Sequence, residues 1–458
     1  MRKFTGLFVL CFLLSTNAMQ AGEPDKVASV NESTEVTANK EKKAVAATDD
    51  DYKKFRFGGY GEMVASFKDY GTNRFYGGDG NSKDNRNSIA IPRFVLAFDY
   101  KFNPKWILGA EIEFESGGVG IETELENTEN GEYETEMEKG GEVALEQFHI
   151  TRLILPAFNV RAGHMIVPVG LTNSHHEPIN FFGTYRPEGE TTIIPSTWHE
   201  TGLEVFGTFG RGYATFDYQA MVVTGLNADG FGRDAWVSGG KQGLFEVDNF
   251  TSPAYVARLD YRGVPGLRVG ASFYYCGDVT ANADKTYKYS KVKESAVTIY
   301  SADAQYRNKY VTARANIICG NLENSIGISN VSLSNTSSYY HGAMKNVAKE
   351  ALCYGVEAGV NMSAFFPEKK CPVIYPYGRY EYFNPQQKGE NGTAVIDKRC
   401  QVSKWSVGLN WFALPNLVVK ADYVTRQIGS NKVFGTSKYT SENEFSIGIA
   451  YVGWFIKK

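Results

Sequence analysis

Histidine is the side chain best suited to bind a metal or carry a proton near neutral pH, and in this chain it is concentrated. Of the six histidines, His149, His164, His175, His176 and His199 fall in or beside one stretch, Gly163–Gly202. That stretch reads GHMIVPVGLTNSHHEPINFFGTYRPEGETTIIPSTWHETG and shows no clean alternation. Irregular loops of this length inside an ordered fold are uncommon and usually functional. A structural zinc site wants four closed ligands. His175, His176 and Glu177 are sequence neighbours whose side chains point apart in an extended chain, and His164 or His199 could complete a set only if the loop folds back. A serine nucleophile would need an elbow motif, and Ser174 beside His175 is adjacency only. No metal, cofactor or enzymatic activity is therefore expected. The remaining chemistry is electrostatic. His175, His176, Glu177, Arg186, Glu188 and Glu190 could line a narrow polar throat, with Phe181, Phe182, Tyr185 and Trp198 supplying bulk, because pores select by charge and diameter.

A second concentration of charge is IETELENTENGEYETEMEKGGE (121–142), with nine Glu and one Lys. It alternates on both sides of Asn130-Gly131, a favoured two-residue hairpin turn. Glu122, Glu124 and Glu126 should then face Glu134, Glu136 and Glu138. Like charges opposite one another destabilise a ribbon, so solvent, basic neighbours or divalent cations must offset them. A solvated hairpin is the plain reading; a cation site or a field that draws positive solutes to a pore mouth is the alternative.

The elements that position these residues read as strands. Met1–Ala21 has a positive start, an apolar run and small residues for cleavage, as a secretory signal does. Gly22–Asp51 is polar, without aromatics, and reads as a flexible periplasmic leader. Residues 52–458 form the remaining unit and contain no run of about 18 apolar residues, which a membrane helix needs. Aromatics are 14% of the chain, with 47 Gly, a mixture that suits strands. Without Arg2 and Lys3 the balance is 46 basic against 51 acidic residues, which argues against bulk nucleic-acid binding. Cys276, Cys319, Cys353, Cys371 and Cys400 are widely spaced and odd in number, unlike a disulfide scaffold or metal site.

From Tyr52 onward the period is two. Ala214-Phe216-Tyr218-Ala220-Val222 alternates with Thr215-Asp217-Gln219, and Trp405-Val407-Leu409-Trp411 with Lys404-Ser406-Gly408-Asn410. Seven connections are tight, such as Asn103-Pro104-Lys105, Pro156-Ala157 and Pro415-Asn416, and eight are long and polar. They alternate without a break. Seven turns and eight loops join sixteen strands, with both ends on the short-turn side. Transmembrane antiparallel β-barrels keep this order, short turns in the periplasm and long loops outside. Aromatics crowd the short turns (Tyr100, Phe102, Trp106, Phe209, Tyr213, Tyr306, Tyr310, Trp411), as in the girdle at a lipid–water boundary. Faces near 294–306 and 372–384 stay ambiguous, because both mix polar and apolar residues.

The segments KWILGAEIEFESGG (105–118), GGEVALEQFHITRLILPAFNVRAGHMIVPVG (140–170) and HHEPINFFGTYRPEGETTIIPSTWHETGLEVFG (175–207) resemble the phosphate-selective porin O and P family, in its Bacteroides-type form. The resemblance covers the first half well and the second half in layout. It implies a sixteen-stranded outer-membrane porin, a homotrimer, with the third loop folded inward as a constriction, which is where 163–202 falls. Selective members of the family resemble one another in a ladder of lumen arginines. Alternation here assigns inward Arg93, Arg161, Arg258, Arg262, Arg268, Arg314, Lys404, Lys420 and Arg426, but also Glu111, Glu113, Glu115, Glu204, Asp217, Asp260, Glu357, Asp422 and Glu444. That mixed lumen leaves phosphate open as a solute. The expectation is an exported outer-membrane porin passing small hydrophilic solutes and ions, possible anions such as phosphate included. Its partners are lipid and those solutes. The competing reading is a surface-exposed binding or structural barrel with a closed lumen.

Overall fold

The structure, a computed structural model, describes residues 54–71, 83–84, 87–116, 121–127, 133–139, 142–242, 247–283, 285–331, 346–366, 372–390, 396–429 and 441–457. The expected signal 1–21 and leader 22–51 lie outside them. In chain order the strands are β1 (Phe55–Gly71), the two-residue β2 (Lys83–Asp84), β3 (Asn87–Asn103), β4 (Trp106–Glu115), β5 (Ile121–Asn127), β6 (Tyr133–Lys139), β7 (Glu142–Leu155) and β8 (Phe158–Ile166). They continue as β9 (His199–Arg211), β10 (Ala214–Val223), β11 (Ala254–Tyr261), β12 (Leu267–Cys276), β13 (Val297–Arg307) and β14 (Val311–Leu322). The last five are β15 (Glu350–Val360), β16 (Val373–Lys388), β17 (Val402–Leu414), β18 (Leu417–Ile428) and β19 (Ser441–Lys457).

Leaving out β2 and the separate β5–β6 hairpin, sixteen antiparallel strands pair neighbour to neighbour and close, because β1 bonds both β3 and β19. Tyr60 marks the seam, opposite Val95 on one side and Val452 on the other. Closure leaves no edge, so ladder donors and acceptors are satisfied within the sheet. Both ends of the barrel chain sit at the short-turn end, where Arg56 pairs with Lys457 and Phe55 with Tyr100.

The period-two pattern decides which face of each strand is apolar. On β17, Trp405, Val407, Leu409 and Trp411 are exposed, whereas Lys404, Ser406 and Asn410 are buried. Apolar-out and polar-in is the inverse of a soluble barrel and suits a hydrocarbon surround. Exposed Tyr100, Phe102, Trp106, Phe209, Tyr213, Tyr306, Tyr310 and Trp411 ring the short-turn end, as the sequence implies.

The acidic hairpin has the expected register: Glu122 lies opposite Glu138, Glu124 opposite Glu136 and Glu126 opposite Glu134. Its turn, Asn130-Gly131, lies outside the described residues, as do Cys371 and the tight turn Pro367–Lys370. Cys276, Cys319 and Cys353 are free thiols.

The interior is not uniformly polar. Toward the long-loop end a continuous apolar cluster fills part of the barrel. Strands supply Val223, Tyr274, Val297, Ile299, Ile318 and Val402, and loops supply Trp198, Leu226, Trp236 and Val279. Trp236 is fully buried; its indole donates to Ala348 O at 3.0 Å, and its ring lies against Gly320, where any Cβ would overlap it.

Candidate functional site: the third loop across the lumen

Loop 3 (residues 167–198) runs from β8 to β9 and holds two short helical turns, α1 (Leu171–Ser174) and α2 (Glu188–Ile193). Its shape is set by side chains bonding its own backbone. Glu190 accepts from the N–H of Leu171 (3.2 Å) and of Asn173 (2.6 Å), so α2 holds α1. Asn173 closes the base, donating to Val167 O and accepting from Trp198 N, both at 2.6 Å. Gly170 sits at φ 85, a left-handed conformation, beside the Glu190 carboxylate, where a side chain is disfavoured on both counts.

The loop then crosses the lumen and is bonded to distant strands. Lys420 on β18 donates to the carbonyls of Phe181 and Gly183, each at 2.9 Å, and to that of Pro178, with its ammonium 4.3 Å from the Phe181 ring centroid. Asp422 accepts from Thr184 N (2.8 Å) and its hydroxyl (3.0 Å). Arg314 reaches Asn180 O, Arg379 reaches Tyr185 O at 3.3 Å, and Asn316 reaches Glu190 at 2.9 Å. Glu188 pairs with Lys404 at 3.1 Å and with Arg426. On the near side, Tyr185 meets Ser66 (2.9 Å), and His176 faces Glu146 (3.4 Å). The aromatic residues pack instead of hanging free: Phe182 stacks on Tyr377 at 5.2 Å and Trp198 lies 4.6 Å from Tyr274.

Exposure of the charged residues changes along the lumen. Glu62, Arg93, Glu113, Glu357, Arg379, Lys420 and Asp422, at the level of the loop, are all buried. Partly exposed charges lie on either side of it. Glu188 is 27% exposed toward the long loops, and Arg268 is 32% exposed below. Below the loop lies a cavity of about 900 Å³ that reaches the short turns at Lys105, Pro156, Gly266 and Arg307, with Pro168, Ser174, His175, His176 and Asn180 as its roof.

Six candidate throat residues therefore have different surroundings. His175 and His176 point apart where the chain turns out of α1: His175 meets Arg268 at 3.1 Å, and His176 turns to Glu146. Burial pushes His176 down to about 4, and burial followed by Arg268 lowers His175, so both are neutral at pH 7. Burial alone would raise Glu188, but Arg426 and Lys404 outweigh it and bring it down to about 2. Arg186 donates to Thr197 at 3.2 Å. Glu177 is buried and accepts from Asn180 at 2.7 Å. Glu190 is buried and braces the loop, its carboxylate taken up by the backbone N–H groups of Leu171 and Asn173 and by the Asn316 amide of β14. His164 and His199 contact each other, not the His175–His176 pair.

Most basic residues assigned to the lumen by alternation are paired with acidic ones. Arg93 pairs with Glu113, Arg161 with Glu204 (2.9 Å), Arg262 with Asp217 (2.5 Å), Arg258 and Arg268 with Asp260 (2.8 and 2.9 Å), and Arg314 with Glu357 (3.2 Å). Glu111 accepts from Gln147 at 2.8 Å, and Glu444 from Ser446 at 2.7 Å. Sequence reasoning misses Glu146, Asp303, Arg379 and Glu381. Glu146 has a local cause. The β4–β7 register slips between Glu111↔Gln147 and Ile112↔Leu145, leaving Glu146 as a bulge residue re-aimed inward. It is fully buried, against Arg93 at 3.0 Å and the Tyr60 hydroxyl at 3.1 Å.

No family model matches the chain. A protein of Aquifex aeolicus (strain VF5) described only as an "Uncharacterized protein" is 26% identical over 360 residues, spanning 77% of this chain and 74% of that one. Among solved structures, Salmonella typhi OmpF in complex with daunomycin superposes with a TM-score of 0.51 at 12% identity, over 88% of this chain and 99% of that chain. The anion-selective porin from Comamonas acidovorans superposes at 0.50 and 9% identity, over 88% of this chain and 100% of that one. At such identities the likeness shows the fold, and the fold is the closed sixteen-stranded barrel of porins.

Proposed function

We propose that this chain is an outer-membrane porin through which small hydrophilic solutes and ions diffuse passively, with loop 3 setting the throat. The observation that carries the reading is the charged cavity of about 900 Å³ inside a closed barrel, roofed by loop 3 and reaching the short turns. In this reading Met1–Ala21 exports the chain, the outward apolar belt meets lipid and neighbouring copies in a homotrimer, and His175, His176, Glu177, Arg186 and Glu188 shape the throat. The cavity wall carries Lys105, Arg161, Arg258, Arg262, Arg268 and Arg307 against Asp99, Glu111, Asp217 and Asp260. That modest basic excess favours anions, phosphate among them, over cations. The extensive pairing of the arginines with carboxylates favours a general pore over a dedicated phosphate path.

A second reading, a surface-exposed binding or structural barrel with a closed lumen, is favoured by one observation. Loop 3 and the apolar cluster above it are packed against the wall at the level where a throat would lie. Single-channel recording in planar bilayers separates the two. Stepwise conductance from pure protein is expected for the porin, with a reversal potential in a KCl gradient of anion sign and chloride current reduced by phosphate. Protein that inserts yet never conducts supports the closed barrel and defeats the porin reading.

A further inference from the structure

Where loop 3 meets the near wall, three side chains converge that the pore reading does not use together. We infer that a divalent transition-metal ion of the zinc class binds there, held by His176 Nε2 and one carboxylate oxygen each from Glu146 and Glu111.

The donor atoms of these three residues all lie within 4.8 Å of one another. His176 Nε2 is 3.4 Å from Glu146 Oε1. Ligands bound tetrahedrally at about 2.0–2.1 Å are separated by about 3.3–3.4 Å, so this pair is already one edge of a coordination tetrahedron. The histidine is also oriented as a ligand. Its Nδ1 lies 3.0 Å from Asn173 O, and a carbonyl only accepts, so Nδ1 carries a proton. In the neutral ring Nε2 is then a bare lone pair. It makes no hydrogen bond among the described residues and faces a carboxylate oxygen, an arrangement of two acceptors that a cation between them resolves. His176 is 4% exposed.

The surroundings act as a supporting shell, the usual device for fixing metal ligands. Gln147 donates to Glu111 at 2.8 Å, and the Tyr60 hydroxyl donates to Glu146 Oε2 at 3.1 Å. Arg93 donates to Glu146 Oε1 at 3.0 Å and pairs with Glu113. Glu111 and Glu146 face each other, carboxylate beside carboxylate, and Arg93 is already shared between Glu146 and Glu113, so a divalent ion between the two relieves their repulsion. Glu111 and His176 line the cavity below loop 3, giving the ion an entry path and leaving a coordination position open to solvent or solute. Because the ligands come from loop 3, β4 and β7, the ion would also clamp the loop to the wall.

The experiment is calorimetric titration of zinc chloride into the full chain, folded in detergent and stripped with EDTA. One saturable site per chain is expected. Glu111→Gln, Glu146→Gln and His176→Ala should each weaken it at least about tenfold, since even supporting-shell changes cost 10- to 100-fold. His149→Ala, on the same cavity wall but outside the trio, should stay within about twofold. X-ray absorption of the zinc-loaded protein should show nitrogen and oxygen scatterers without sulfur. No saturable binding below millimolar zinc, as for an imidazolium paired directly with Glu146, overturns the inference, and so does binding that survives all three changes. Should His176→Ala fail to fold, Glu111→Gln, at the partly exposed rim of the trio, decides the question. Calorimetry reads the site whether or not the chain conducts, so this result and the porin reading stand or fall separately.

Discussion

On β13 the inward side chains near the long-loop end are Val297 and Ile299, while nearer the short-turn end they are Ser301, Asp303 and Gln305. The same strand thus serves two interiors. Above loop 3 the lumen is protein core, with Trp236, Tyr274 and Ile299 fully buried. Below it the wall is ionic, with Arg258 between Asp260 and Asp303 and a cavity in front. The difference separates stability from selectivity. Apolar burial and close packing hold the upper half, whereas in the lower half ion pairs, from the buried Arg258–Asp260–Asp303 group to the partly exposed Arg268, set the field that solutes would meet in the porin reading.

The sharpest way to break this comparison is in the upper half. Trp236→Ala removes a fully buried indole whose N–H is satisfied by Ala348, and such truncations cost about 3–5 kcal/mol. The urea midpoint for loss of barrel structure should fall accordingly while ion selectivity stays unchanged. A loss under about 1 kcal/mol would mean that the upper half is not a core. Next in size is the hinge between the halves. Lys420→Met leaves the carbonyls of Pro178, Phe181 and Gly183 without their donor, at about 1–3 kcal/mol for each that stays buried and unpaired. Loop 3 should loosen, seen as faster proteolysis within 178–186 and as noisier, larger single-channel currents. Currents identical to wild type would show that Lys420 does not position the loop.

The same contrast explains what was legible in the sequence. The strands, the alternation of short turns with long loops and the register of the acidic hairpin follow from period two and turn residues, which are local signals. The inward-loop expectation rests on length and on resemblance. Faces near 294–306 and 372–384 resisted assignment for a physical reason: the inward face itself turns apolar there, at Val297, Ile299 and Phe383, so lipid-out and water-in alternation fails. Glu146 was hidden because a bulge shifts parity by one residue, and a single sequence carries no mark of where a ladder slips. The sequence alone says nothing of the backbone N–H groups that capture Glu190, because they come from α1, seventeen to nineteen residues away.

A smaller, conditional effect tests the upper rim of loop 3. Glu188 is held at about 2 against an ordinary 4.5: burial opposes this, and Arg426 and Lys404 outweigh it. A depressed folded value means that the unfolded chain binds the proton first. The contribution is complete above about pH 4.5 and is lost as pH falls toward 2. Loop 3 in wild-type protein should become protease-sensitive across that window, and Glu188→Gln should be equally sensitive at pH 6 and pH 3. A variant that keeps the wild-type pH profile would assign the acid transition to other carboxylates.

The smallest structural effect belongs to the lower half and carries the most about selectivity. Arg268 is 32% exposed and pairs with Asp260 at 2.9 Å and His175 at 3.1 Å. Asp260 keeps Arg258 at 2.8 Å when Arg268 is neutralised, so Arg268→Gln orphans no buried charge. Its stability cost should be below about 1 kcal/mol, the range of partly exposed pairs. The cavity nevertheless loses a positive charge directly below His175, at the roof that ions pass in the porin reading. In a KCl gradient the reversal potential should move toward the cation side, by more than for Arg307→Gln, whose charge lies at the short-turn rim. Equal shifts from both would make the cavity an unselective vestibule and place selection wholly within loop 3; a shift from Arg268 alone would extend the selective region down the ionic wall.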